Sequence, residues 1–201
     1  MRPSVRKFSD IDKEESLKSL ISAAINSDFV FDLGANIGKI TKHLIGTGKD
    51  VFAFEPDPEA FAQLRNITAP NLEIFHSAVW VNEKKQTLFR HKDWEKSHSH
   101  TSSSLISSKV NVDSRNTIEV NSTDISGLVS NLRGTGVMKM DVEGAEYALL
   151  NYWSDSKVLN RFEFIFCEFH AKKIRFGRVK HLLLYLKLVV RGQSKIVKDW
   201  Y

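Results

Sequence analysis

The stretch VFDLGANIGKITKHL, residues 30–44, constrains the fold more than any other part of the chain. An apolar run ends in Asp32, and Gly34-x-Asn36-x-Gly38 then turns directly into a helical pattern. Glycines at such a turn adopt backbone angles that a β-carbon forbids and let the backbone approach a ligand closely. The unpaired N–H groups at the start of the following helix attract negative groups. The spacing therefore predicts a strand, a tight ligand-facing bend and a helix.

The same rhythm recurs along the sequence. Leu17, Leu20, Ile21, Ala24 and Ile25 repeat with the period of an amphipathic helix. Strands are expected at Phe29–Leu33, Val51–Phe54 and Leu72–Phe75, with helices at Lys39–Ile45 and Pro58–Ile67 between them. Pro58 suits the first turn of its helix, where a missing N–H costs nothing, and Asp57 suits the cap before it. Residues 80–120 break the alternation with expected strands at Gln86–His91 and Thr117–Val120 around a polar, serine-rich segment. The βα order then returns: helix Asp124–Leu132, strand Val137–Met140, helix Ala145–Trp153, strand Phe162–Phe169, helix Gly177–Val190 and strand Lys195–Trp200. Alternating units of this kind give an α/β fold with a mostly parallel, twisted sheet covered by helices on both faces. Nothing in the composition splits the chain, so residues 1–201 read as one domain: an N-terminal helical segment over 1–28, a cofactor-binding core over 29–170 and a basic C-terminal segment over 171–201.

Hydrophobic residues at 42% and charged residues at 26% exclude disordered and coiled-coil classes. The single cysteine, Cys167, makes no internal disulfide and reads as inert core in a reducing compartment. The longest apolar run, Leu182–Val190, is interrupted by Lys187 and is too short to span a bilayer. The N-terminus lacks an apolar signal core, so a cytoplasmic location is expected. Residues 171–201 carry nine Lys and Arg against one acid, a solvated basic face or a contact for phosphate, an acidic partner or lipid.

The site residues follow from the strand ends. The dinucleotide fingerprint has glycines at its first, third and sixth positions, whereas here Asn36 stands between Gly34 and Gly38 and an acid precedes them. A carboxylate there does nothing for a pyrophosphate but forms charge-assisted hydrogen bonds to an amine. S-adenosylmethionine, with its ammonium and sulfonium, fits better than NAD. Asp32, Gly34, Ala35, Asn36 and Gly38 are thus candidate cofactor contacts. Glu55, at the end of the next strand, is placed to accept hydrogen bonds from ribose hydroxyls. Ser77 and Ala78, after the third strand, offer an adenine edge. GVMKMDVEGAEYALL, residues 136–150, sets Lys139, Asp141, Glu143 and Glu146 around another strand end. Asp141 is the first candidate base, and His170, with the ordinary imidazole pKa, the second. No metal is assigned; a divalent ion bridging Asp141 with Glu168 or His170 is a minor alternative. The His98-x-His100 pair has no further ligand spacing to support it.

VFDLGANIGKITKHL, VFAFEPDPEAFAQL, HSAVWVNEKKQTLF, GVMKMDVEGAEYALL and FIFCEFH together resemble the FkbM-type methyltransferases, a branch of the class I S-adenosylmethionine-dependent enzymes. The resemblance covers most of residues 29–170, and KMDVEGAE is its most specific stretch. It implies a Rossmann-like, seven-strand sheet with an antiparallel C-terminal strand, and O-methylation of a hydroxyl on a sugar or other small metabolite. It also implies that Asp32, Gly34, Asn36 and Glu55 hold the cofactor while Asp141 and Glu143 line the reaction centre. Two other readings remain: RNA ribose 2′-O-methylation drawn by the basic segment, and a scaffold that binds the cofactor without turnover.

Overall fold

The computed structural model describes residues 8–94, 102–194 and 197–200. The elements run α1 (Phe8–Asn26), β1 (Phe29–Leu33), α2 (Thr41–Ile45), β2 (Asp50–Phe54), α3 (Pro58–Leu64), β3 (Leu72–Phe75), β4 (Ala78–Val79), β5 (Lys85–His91) and β6 (Val112–Thr123). They continue with α4 (Ser126–Asn131), β7 (Gly136–Met140), α5 (Glu146–Ser154), β8 (Phe162–Cys167), α6 (Gly177–Val190) and β9 (Val197–Asp199).

Six strands form the main sheet in the order β3-β2-β1-β7-β8-β9. Every pair in it is parallel. Every residue of β1 and β7 is buried, as expected for strands covered on both faces. On one face Phe29, Phe31, Met138, Trp153, Ile165 and their neighbours make the larger core; on the other, Leu20 and Ala24 of α1 and Leu44 of α2 pack with Val30, Val51 and Val137. Asp57 caps α3, accepting from the Glu59 and Ala60 amides at 3.0 and 3.3 Å, with Pro58 in the first turn.

Two departures from the sequence reading stand out. The last strand is parallel: β9 pairs with β8 in register Ile165↔Val197, because the long helix α6 carries the chain back before the strand begins. The expected antiparallel C-terminal strand is therefore corrected, and the main sheet holds six strands among the described residues. Antiparallel pairing is found elsewhere, in the small sheet β4-β6-β5, where β6 runs for 12 residues although only its Thr117–Val120 stretch reads as a strand. β6 is largely exposed, so no continuous apolar pattern announced its length.

The chain leaves β1 toward β2 and β3, then returns to the other side of β1 for β7 and β8. Strand order reverses between β1 and β7, and ligands of such sheets bind beyond the carboxyl ends at that reversal.

Candidate functional site

The four strand ends that meet at the reversal carry the acids singled out in the sequence. The register sets Asp32 directly opposite Lys139. Asp32 is fully buried; one of its oxygens accepts from the Thr41 hydroxyl at 2.7 Å and the other pairs with the Lys139 ammonium at 3.3 Å. Lys139 also donates to the Gly34 carbonyl at 2.8 Å. Burial works against the charge of Lys139, but the carboxylates of Asp32, Asp141 and Glu55 together more than offset it and hold its pKa above the usual lysine value. The pair is thus an internal strut that fixes the bend from below.

The bend itself is held by backbone. Gly34 and Ala35 donate to the Phe54 carbonyl at 3.0 and 2.9 Å, and Asp141 donates to the Leu33 carbonyl at 3.0 Å. Gly34 has φ +73°, and a β-carbon there would sit 1.9 Å from the Asp141 carbonyl oxygen, so no other residue fits. Gly38 serves packing: its missing β-carbon leaves room for Ile67 and Leu64. Asn36 also has positive φ, and its amide donates to Glu55 at 2.7 Å. The other Glu55 oxygen accepts from the Asp57 amide at 2.8 Å. Burial pushes the Glu55 carboxyl up to about 7, although both hydrogen bonds favour its charged form.

A cavity of about 110 Å³ opens above this bend, lined by Gly34, Asn36, Glu55, Ser77, Ala78, Asp141, Val142 and Glu143, with Ser102, Ser103 and Leu105 across it. Five of the eight candidate cofactor contacts, Gly34, Asn36, Glu55, Ser77 and Ala78, line it, as do Asp141 and Glu143. Asp32, Ala35, Gly38 and His170 are not among its lining residues. Ser104 anchors the segment across the cavity: its hydroxyl donates to the Glu143 carbonyl at 2.6 Å, and its backbone pairs with Phe89.

Behind the cavity the second group of acids converges on His170, which is 2% exposed. Its Nε2 lies 3.0 Å from Glu143, 3.4 Å from Glu168 and 3.9 Å from Asp141; its Nδ1 lies 3.5 Å from Glu146. Glu146 is buried and bridges backbones, accepting from the Gly144 and His170 amides at 2.7 and 2.8 Å. Glu143 also meets the Lys109 ammonium at 2.5 Å. Its pKa is pulled well below the carboxylate range: burial alone would raise it, but His170 and Lys109 outweigh burial. Asp141 goes the other way, to about 6, because burial outweighs the pull of Lys139 and the neighbouring acids add to it.

His170 departs furthest from the ordinary imidazole. Burial would lower its pKa, yet Glu143, Glu146 and Glu168 together push it to about 11. The group is held as an imidazolium near neutrality and is no base there. Asp141, pushed up to about 6, lines the cavity. Sequence reasoning missed Lys109 and Ser104, which sit in a polar stretch without periodicity, and the strut role of Lys139. Cys167 is buried core, with its thiol pushed up by burial, as expected. His98 and His100 lie outside the described residues. No helix among the described residues is long and apolar enough to cross a membrane.

Residues 32–193 match the methyltransferase FkbM domain. No curated protein sequence matches the chain. Among solved structures, a Listeria monocytogenes protein assigned as an S-adenosylmethionine dependent methyltransferase aligns with 61% of this chain and 78% of its own. At 9% identity and a TM-score of 0.32 that likeness carries no argument.

Proposed function

The chain belongs to the FkbM methyltransferase family, and from that premise we propose that it moves a methyl group from S-adenosylmethionine to a hydroxyl oxygen of a sugar or other small metabolite. The observation that carries the reading is the donor set of the cavity: three carboxylates, Glu55, Asp141 and Glu143, around a glycine bend at the sheet's reversal point. An acidic lining suits a cationic, amine-bearing nucleoside and opposes a pyrophosphate. Glu55 lines the cavity with each oxygen held by a backbone amide, an orientation that suits a ribose diol, and Asp141 has one oxygen shut off from water without a hydrogen-bond partner. These residues fit the cofactor. The cavity of about 110 Å³ is smaller than the roughly 300–1,000 Å³ of small-molecule sites. A nucleoside therefore needs the cavity to widen.

The cofactor would supply a methyl group carried on a positively charged sulfur. The protein's part is positional and basic. The Asp32–Lys139 strut holds the Gly34 bend, so Asp32 is a positioning residue in this reading. Glu55 orients the ribose and Asp141 accepts the hydroxyl proton as the acceptor oxygen attacks, since an alcohol is a poor nucleophile until it is deprotonated. Alignment of oxygen and methyl at roughly 3 Å supplies much of the acceleration.

The test is calorimetric binding of S-adenosylmethionine followed by incubation of metabolite extracts with methyl-labelled donor. Label in base-stable, ether-linked small molecules is the expected result. Label confined to RNA, or binding of NAD in place of the methyl donor, would overturn the reading.

A further inference from the structure

Large apolar residues at the surface are concentrated on one element. Eight of the eleven that are exposed among the described residues fall between Phe176 and Val190, each at least 45% exposed. Scattered singly they would need no explanation, but a contiguous apolar patch marks a surface that meets something other than water. The other side of α6 is already packed. Gly177, Leu184 and Leu188 are buried, the two leucines within the larger core cluster. Lys187 and Arg191 tie the helix to Asp155, just past α5, at 2.7 and 2.5 Å. At about 3.6 residues per turn, Val179, Leu182, Leu186 and Val190 stand on the opposite side from Leu184 and Leu188. The helix is therefore apolar on two faces, and only one of them is covered.

The head of the stripe carries its own signal. Phe176 has φ +55°, a left-handed conformation that is costly for a bulky side chain. Its ring is 66% exposed, with the Arg175 guanidinium 5.0 Å above it. An aromatic paired with a cation at the rim of an apolar stripe suits a boundary between water and lipid.

Charge selects the occupant. Residues 171–194 carry seven Lys and Arg and no acid. Arg178 and Lys180 are exposed on either flank of the stripe, and neither has a carboxylate partner among the described residues. A second copy of the same face would set these cations against each other. A nucleic acid would meet the cations but leave the aliphatic stripe unburied, since its interfaces are polar. The stripe is the convex outer side of a single helix, and a fluid bilayer needs no matching shape, whereas a protein partner does. An anionic bilayer surface answers both features: its acyl boundary takes apolar side chains to a depth of roughly 5–10 Å, and its headgroups pair with the flanking cations. Such a helix lies on the surface, and no helix among the described residues is long and apolar enough to cross a membrane.

We propose that α6 is a membrane-surface helix whose Phe176–Val190 stripe enters the headgroup boundary of an anionic bilayer while Arg178 and Lys180 hold the headgroups. The proposal rests on the outer face of α6 and is independent of the methyl-transfer reading.

The experiment mixes the full chain with vesicles of phosphatidylcholine alone, or with about 30% phosphatidylserine added, and reads bound protein by sedimentation. At least tenfold tighter binding to the anionic vesicles is expected, and it should weaken at least tenfold between about 0.1 and about 0.5 M salt. Leu183→Gln combined with Leu186→Gln should lose at least tenfold, and so should Arg178→Glu combined with Lys180→Glu. Ile25→Gln, which removes an exposed apolar residue from α1, should leave binding unchanged. Equal binding to the two kinds of vesicle, or no binding by the folded wild-type chain, would overturn the proposal. A wild-type dimer that ignores vesicles and is dissociated by the leucine substitutions would also overturn it, since a second copy then covers the stripe. The lipid and salt comparisons use the wild type alone, so they decide the matter even if the leucine variant fails to fold.

Discussion

The β1–β2 side and the β7–β8 side of the cleft both present acids at strand ends, yet they treat charge in opposite ways. On the first side the acids have fixed partners: a Thr41 hydrogen bond on one oxygen of Asp32 and the Lys139 ion pair on the other, which has no hydrogen bond, and the Asn36 and Asp57 amides for Glu55. On the second side the acids face each other across one histidine, and buried atoms of Asp141 and His170 are left without hydrogen bonds. A satisfied buried polar network is rigid and specifies geometry, whereas an unsatisfied one is expensive unless something else binds there. The difference teaches that the first side is a mould held mainly by its own local partners, whereas the second is held by carboxylates sharing one histidine.

The largest effect that would sharpen this contrast is on the strut. Lys139→Ala leaves the Asp32 carboxylate buried and unpaired, and the loss of one partner from such a pair costs about 3–5 kcal/mol. Urea unfolding should show a loss in that range, with part of it recovered when Asp32→Asn is added. A loss below about 1 kcal/mol would mean the strut is not what holds the mould.

Next comes Asp141. Asp141→Asn keeps the shape of the cavity but removes the proposed base, and turnover should fall at least hundredfold, about 2.7 kcal/mol, while affinity for S-adenosylmethionine stays within about threefold. If affinity falls as far as turnover, the two sides of the cleft are not separable and the contrast fails.

How much of this was legible in the sequence depends on whether a residue announces itself through chain order. The strands β1, β2, β3 and β7 and the bend at Gly34 were readable because their apolar runs end in an acid or a turn. Lys139 stood in plain view in KMDVEG, but its partner is set by the register of β1 against β7, and register across 107 residues is not a local property. The same reason explains His170: its reference pKa is a property of imidazole, while the value here follows from three glutamates that come together only in the fold. Lys109 and Ser104 were illegible because a polar, irregular segment has no period to read. The parallel direction of β9 was missed because the resemblance supplied an antiparallel strand that the short chain after α6 does not make.

Glu55 tests the first side through pH. Its folded-state pKa of about 7 exceeds the ordinary glutamate value of 4.5, so the folded chain holds this proton more tightly than the unfolded chain does. The sign follows: the stabilising contribution is fullest below about 4.5 and is lost as pH rises through about 7. Unfolding free energy of the wild type relative to Glu55→Gln should therefore drop by about 2 kcal/mol between pH 5 and 7.5. A difference that does not change with pH would show that the Asn36 and Asp57 amides, not burial, decide the state of this carboxylate.

The smallest effect is the most direct test of what the mould is for. A preformed acceptor of ribose hydroxyls loses its charge-assisted hydrogen bonds in Glu55→Ala, and affinity for S-adenosylmethionine should weaken at least tenfold, about 1.4 kcal/mol, in calorimetry at pH 8. Because ionised Glu55 is the better acceptor, wild-type affinity should also rise as pH passes through 7, and that rise should vanish in the variant. Turnover at saturating cofactor should stay within about threefold if, as proposed, Glu55 meets the ribose and not the reacting oxygen. If Glu55→Ala instead loses turnover while binding normally, the roles assigned to the two sides of the cleft are reversed.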